Sequence, residues 1–165
     1  MDVSADELAG LVDLFDALTR AELRTAAAEL AFKAEGEFEP DAFDEDVAAA
    51  LRSYHLLEAP AGAVAGQPSE ADADPAWLVP GPLAYPTLPD EAADLPHILD
   101  AEERTVDREA VARAAEARFL ADAAGAVEAG DPERVQALRD ASYELETWGG
   151  LDLGAARDRL DAAAE

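Results

Sequence analysis

His55 and His97 are the only imidazoles in the chain. His97 and Asp100 have the i, i+3 spacing at which two side chains on one helical turn can share a ligand. A metal would need at least one more ligand converging from elsewhere, and both histidines stand among apolar residues, so a structural or exposed role is expected. Asp44, Glu45 and Asp46, or Asp72 with Asp74, offer hard oxygen ligands. The calcium-loop pattern with its central glycine is missing and Pro75 follows Asp74, so these clusters read as solvated surface. Gly62 and Gly66 lack the lysine and following helix that a phosphate loop requires. Ser4, Ser53, Ser69 and Ser142 all lie outside a G-x-S-x-G elbow. The absence of cysteine excludes a disulfide scaffold, a thiolate zinc site, an iron-sulfur cluster and a cysteine nucleophile together. No catalytic, cofactor-binding or metal-binding residue is assigned, no cofactor is expected, and the expectation is a non-enzyme.

The cations are the next candidates. Lys33 is the single lysine, and with 11 arginines it faces 38 acidic residues, a formal net charge of -26. Residues 1–59 hold 4 basic and 15 acidic residues, 60–103 none and 9, and 104–165 hold 8 and 14. Arg104, Arg108, Arg113 and Arg118 recur at helical spacing in the least acidic part. They read as i, i+4 partners of Glu109, Glu116 and Asp122 before they read as phosphate ligands. Duplex recognition needs cations at phosphate and donors at base edges. Arg52 is the one residue positioned for that work in a DNA-binding reading.

Such an imbalance points to the solvent. At molar salt the Debye length falls to about 3 Å, so crowded carboxylates stop repelling one another and remain as hydrated, solubilising groups. The composition therefore predicts a halophilic, cytoplasmic protein. The start MDVSADELAG has neither the basic nor the apolar region of a signal peptide, and no apolar run reaches the roughly 18 residues of a membrane span.

High net charge with few aromatics also marks disorder, but the apolar residues recur with helical period. Leu8, Leu11, Val12, Phe15 and Leu18 form one stripe, with Ser4 and Glu7 as a capping box at its start. Thr19 and Glu22 repeat that box before Leu23, Ala27, Leu30 and Ala31. A third helix follows Pro40, with an acidic first turn and a buried face of Phe43, Val47, Leu51 and Tyr54. Two short extended runs, Leu56-Leu57 and Trp77-Leu78-Val79, flank a Gly, Pro, Ser and Asp rich stretch over 60–76 that predicts a hairpin with a long mobile tip. Residues 83–104 carry Pro86, Pro89 and Pro96, a density that predicts no regular helix. Their apolar content predicts a strap. A long helix then carries Val111, Ala115, Phe119, Ala123 and Val127, and Gly130 stops it. Asp131 and Pro132 start the next, with Val135, Leu138, Leu145 and Trp148, and a short last helix holds Leu153, Ala156 and Leu160.

The fold class expected is mainly α with a small β-hairpin: a winged-helix-like N-terminal part, then a C-terminal helical hairpin plus a short helix. The segment VAAALRSYHLLEAP resembles the end of a winged-helix third helix running into its wing; three packed helices followed by an irregular loop give a similar pattern. Through LTRAELRTAAAELAF (18–32), LVPGPLAYPTLPDEAADLPHILD (78–100) and DASYELETWG (140–149), the whole chain resembles small acidic haloarchaeal proteins of uncharacterised function that pair these two parts. That resemblance implies the fold and supplies no site residues. The expected boundaries are 4–86 for the winged-helix-like domain, 87–104 for a Pro-rich strap or linker and 105–165 for the helical part.

The functional expectation is a protein-interaction or regulatory accessory module. Its partner, another protein or a second copy, would be held by apolar patches, because salt screens charge pairs and leaves apolar burial intact. Trp148, Trp77 and Tyr85 are the candidate contacts. Nucleic acid is disfavoured as a partner and a membrane is not expected. The alternatives are a DNA-binding transcription regulator using Arg52 and, third, an enzyme of unknown type. Since -26 unscreened charges strain a compact state, circular dichroism should record helix content rising from dilute buffer to molar KCl. A fully helical, cooperatively melting protein in dilute buffer contradicts the halophilic reading.

Overall fold

The computed structural model describes residues 3–68, 76–99 and 102–164, in two compact units, Met1–Asp107 and Arg108–Glu165. In the first, α1 (Ala5–Leu14), β1 (Leu18–Thr19), α2 (Arg20–Lys33), α3 (Pro40–Arg52), β2 (Leu56–Glu58), β3 (Val64–Ala65) and β4 (Trp77–Pro80) are followed by a 3-10 turn (Ala92–Asp94), α4 (Leu95–Leu99) and β5 (Thr105–Val106). Both capping boxes form. Ser4 Oγ and Thr19 Oγ1 each accept the N–H of the glutamate three residues on, and Glu7 and Glu22 accept the cap N–H in return.

The strand β4 runs antiparallel between β1 and β2, with Leu18 opposite Leu78 and Leu57 opposite Val79. This corrects the expected five-residue stripe of the first helix. The chain leaves α1 at Leu14, turns at Asp16 (φ 68°) and delivers Leu18 to the sheet instead. A short polar Asp side chain tolerates the left-handed conformation, and the strand satisfies a β4 edge that would otherwise be buried unpaired. Leu8, Leu11, Val12, Leu23, Leu30, Phe43, Val47, Leu56 and Leu78 form one core beneath the sheet. Tyr54 also departs from the expected helix: it is buried past the end of α3 at φ 63°. Gly81 is required beside it, since a Cβ there would stand 2.2 Å from the Tyr54 carbonyl oxygen.

Two further expectations are overturned. The segment after β2 is no free tip through Pro68, because β3 pairs antiparallel with β5, Val64 opposite Val106. The prolines of 83–104 also permit a helix: Pro96 lies in the first turn of α4, where its missing N–H costs nothing. Ala92 and Leu95 from this region are fully buried in the core of the first unit.

One ion pair fastens these pieces. Arg104 is off the helix expected to hold it, and its side chain is fully buried. Its Nη2 donates to Glu22 Oε2 at 2.5 Å and to the Gln67 carbonyl at 3.1 Å, its Nη1 donates to the Ala17 carbonyl at 3.0 Å, and its guanidinium lies 4.9 Å from the centroid of the Trp77 ring.

The second unit is a bundle of α5 (Arg108–Ala129), α6 (Pro132–Gly149) and α7 (Gly154–Ala164), each packed on the other two. Asp131 caps α6 by accepting the Arg134 N–H, and Gly130 and Gly150 take φ of 64° and 62° at the turns. Phe119, Leu138, Leu145 and Leu160 form its core. Val127 was expected on the buried face and is 39% exposed. Steps of four residues drift around a helix of 3.6 per turn, so the core passes to Ala126.

Removing one partner of a buried ion pair leaves the other charge stranded, at a cost of about 3–5 kcal/mol. Arg104→Ala should lose that much in denaturant unfolding in molar KCl. Arg24→Ala, which breaks a half-exposed pair with Asp44, should lose no more than about 1 kcal/mol.

Candidate functional site

The surface that a DNA-reading role would use comes first. On α3 the exposed residues are Pro40, Asp41, Ala42, Glu45, Ala48, Ala49 and Arg52, a face mainly of carboxylates and alanines with its single cation in the last turn. Arg24 bonds Asp44 at 2.7 Å, so the neighbouring α2 cation is committed to neutralising this helix. The described part of the loop between β2 and β4 carries no basic residue, and Arg104, which reaches it, is buried.

Trp77 does not offer a contact surface. It is 8% exposed, on the strand β4 beneath Arg104.

Tyr85 does. Its side chain is 79% exposed while its backbone is held from several directions. The Tyr85 N–H donates to Asp6 Oδ1 at 3.0 Å, and its carbonyl accepts the Thr87 hydroxyl at 2.9 Å. Thr87 N–H in turn donates to the Asp6 carbonyl at 3.0 Å. The strap lies so close to α1 that a Cβ on Gly10 would stand 2.1 Å from the Thr87 carbonyl oxygen. Leu88, 44% exposed, continues this surface. An exposed aromatic on a backbone already ordered loses little entropy on binding.

Asp6 also approaches a serine and a histidine. Ser53 Oγ lies 2.6 Å from His55 Nδ1, and His55 Nε2 lies 3.8 Å from Asp6 Oδ1. Ser53 Oγ also lies 3.2 Å from the Ala50 carbonyl, so its one proton has two acceptors within reach, and the His55 tautomer sets the direction of the shorter bond. The group ties the end of α3 to the start of α1. His97 is exposed on α4, and its expected companion Asp100 lies outside the described residues, as do Ser69, Asp72 and Asp74. Among the described residues no three His, Asp or Glu side chains converge as metal ligands would, and no helix is long and apolar enough to cross a membrane.

In the second unit Trp148 is half-buried, in the last turn of α6. It lines an open groove of about 170 Å³ with Arg108, Glu109, Ala112 and Gly149. Its place in one stripe with Val135, Leu138 and Leu145 predicts a buried indole, whereas the fully buried aromatic of this unit is Phe119. Elsewhere the bundle is tied by polar groups that periodicity could not locate. Arg157 pairs with Glu146, bonds Ser142 Oγ at 2.9 Å and lies 4.0 Å from the Tyr143 ring centroid, while Arg139 pairs with Asp161. The Leu153 N–H bonded to Glu146, and Arg157 beside it, hold that carboxyl below its usual range. The hydrogen bond and charge of Asp161 raise the Arg139 guanidinium. Arg113 and Arg118 do make i, i+4 pairs, with Glu109 and Asp122.

Residues 6–165 match the pattern of one protein family. The chain belongs to DUF7109, a family of unknown function. Comparison with curated proteins and with solved structures returns no match. The DUF7109 pattern extends over nearly all of both units, so strap, groove and bundle all fall within it.

Truncating fully buried Phe119 to alanine should cost about 3–5 kcal/mol, whereas Trp148→Ala, at a half-exposed site, should cost only about 1 kcal/mol. Thermal melts of both variants in molar KCl check the ranking. A Trp148→Ala variant that fails to fold would return the indole to the core.

Proposed function

We propose that this DUF7109 protein is a non-enzymatic interaction module with a winged-helix-like first unit, working in a salt-rich cytoplasm as an adaptor or regulatory accessory. The order α1, β1, α2, α3, β2, β4, with β4 between β1 and β2, supports the winged-helix reading. Carboxylates and alanines on the exposed face of α3 speak for a use other than reading DNA. Tyr85 carries the proposal: a large aromatic, 79% exposed, on a strap already locked to α1 by Asp6. Aromatic anchors of this kind concentrate binding energy, and truncating one typically costs about 2 kcal/mol or more.

The DNA-regulator reading keeps one observation in its favour, the exposed Arg52 at the end of the third helix. Tagged protein should capture a partner from its native lysate in molar KCl, and Tyr85→Ala should weaken that capture at least tenfold while the melting temperature stays unchanged. Submicromolar binding to promoter duplexes in the same salt, lost in Arg52→Ala, would overturn the interaction reading in favour of a regulator. Hydrolytic or transferase activity in the purified protein would overturn both.

A further inference from the structure

Asp6 holds the strap and meets an imidazole with the same oxygen. Its Oδ1 accepts the Tyr85 N–H at 3.0 Å and lies 3.8 Å from His55 Nε2, while its carbonyl accepts the Thr87 N–H at 3.0 Å. The other ring nitrogen, Nδ1, lies 2.6 Å from Ser53 Oγ, and that oxygen lies 3.2 Å from the Ala50 carbonyl. The His55 backbone is fixed as well: its N–H donates to the Ala50 carbonyl at 2.9 Å, and its carbonyl accepts the Gly81 N–H at 2.8 Å. The ring therefore answers a proton by changing its hydrogen bonds.

A neutral imidazole cannot serve all of these contacts. With the proton on Nδ1, the ring donates to Ser53 and turns the Nε2 lone pair toward the Asp6 carboxylate, acceptor against acceptor. With the proton on Nε2, Ser53 must turn its single proton to Nδ1 and away from Ala50. The imidazolium donates from both nitrogens. Nδ1–H then meets Ser53 Oγ, the serine proton meets the Ala50 carbonyl, and Nε2–H meets Asp6 with an opposite charge. Among the described residues the charged group facing the ring from α1 is Asp6, since Glu7 beside it is turned to the Ser4 cap. From α3 come the uncharged Ser53 and, exposed in the last turn, Arg52. Tyr54 is buried, the chain after β4 contributes the Gly81 N–H, and the strap contributes backbone because the Tyr85 phenol is exposed.

We propose that His55 is a proton-operated clasp: as imidazolium it holds Asp6, and through Asp6 the strap, against α1, and on losing its proton it loosens the segment that presents Tyr85. The clasp rests on the reading of Tyr85 as a contact surface and supplies its regulation. A closed strap retains the proton better than an open one. By linkage, closure is favoured in mild acid and weakens as pH rises through the ordinary histidine range, about 6 to 7. Molar salt weakens the pairing without removing it, since the ring is only 25% exposed and partly buried pairs are screened far less than exposed ones.

Hydrogen exchange followed by NMR on the whole chain in molar KCl tests this, through protection factors of the Tyr85 and Thr87 amides at about pH 5.5 and about pH 8. Both should fall about threefold to fivefold as pH rises, the effect of one partly exposed pair, while the Phe119 amide of the second unit keeps its protection. The midpoint should coincide with that of the His55 ring resonances. His55→Gln, which keeps a donor and cannot titrate, should remove the dependence. So should Asp6→Asn, which keeps an oxygen for the Tyr85 N–H and loses the charge. His97→Gln should leave it intact. Equal protection at both pH values would overturn the proposal, and so would a dependence that survives His55→Gln or Asp6→Asn, or one that disappears in His97→Gln. The measurement needs no partner. A working clasp beside failed capture by Tyr85 would count against the interaction reading alone, and flat protection beside successful capture would count against the clasp alone.

Discussion

The Arg104–Glu22 pair is the constraint on which the first unit turns. A guanidinium taken wholly out of water must have its charge opposed. Glu22, the Ala17 and Gln67 carbonyls and the Trp77 ring do this from three stretches of chain, meeting both Nη groups and leaving Nε without a hydrogen bond. Glu22 does double duty, since its other oxygen closes the capping box of α2. The start of the second helix, the loop after β2, the strand β4 and the segment leading out of the unit are thus fixed by one side chain. The β3–β5 pairing follows from it, because holding Gln67 against Arg104 lays the loop beside Thr105 and Val106.

Burying Arg104 has a consequence for function. The loop and third helix are left with carboxylates, alanines and Arg52, a poor set of groups for a polyanion and an acceptable one for a protein surface in strong salt. In the molar salt that we propose as its solvent, charge pairs are screened while apolar burial remains effective. Among the described residues the chain's large exposed apolar side chains are Phe32 on α2, Tyr85 and Leu88 on the strap, Leu120 and Val127 on α5 and Tyr143 on α6. The interaction module that we propose draws on this distribution.

Stability in the second unit rests on a different arrangement. Its helices are rich in alanine and bury few large side chains, so Phe119, Leu138, Leu145 and Leu160 bear most of the packing. Arg157 and Arg139 add ties between α6 and α7 through Glu146, Ser142 and Asp161. The short connection through Leu151 and Leu153 is held by the Glu146 carboxylate, which accepts the Leu153 N–H at 2.8 Å.

Local signals were legible in the residues themselves. The S-x-x-E and T-x-x-E boxes, the Asp131-Pro132 start, the Gly130 and Gly150 stops and the extended runs at Leu56 and Trp77 all depend on neighbours a few positions away. Tertiary structure decided whatever depended on a distant partner. Leu18 left its helical stripe because β4, some sixty residues later, needed an edge covered. Val64 became a strand because Val106 was brought beside it, and Arg104 became a buried pin instead of a surface cation because Glu22 waited 82 positions away. Trp148 and Val127 fit the expected stripes by spacing and still reached the surface, since helical drift and the positions of neighbouring helices determine which side of a stripe is covered. Periodicity reports that a face is apolar; only the packing reports which apolar face remains uncovered.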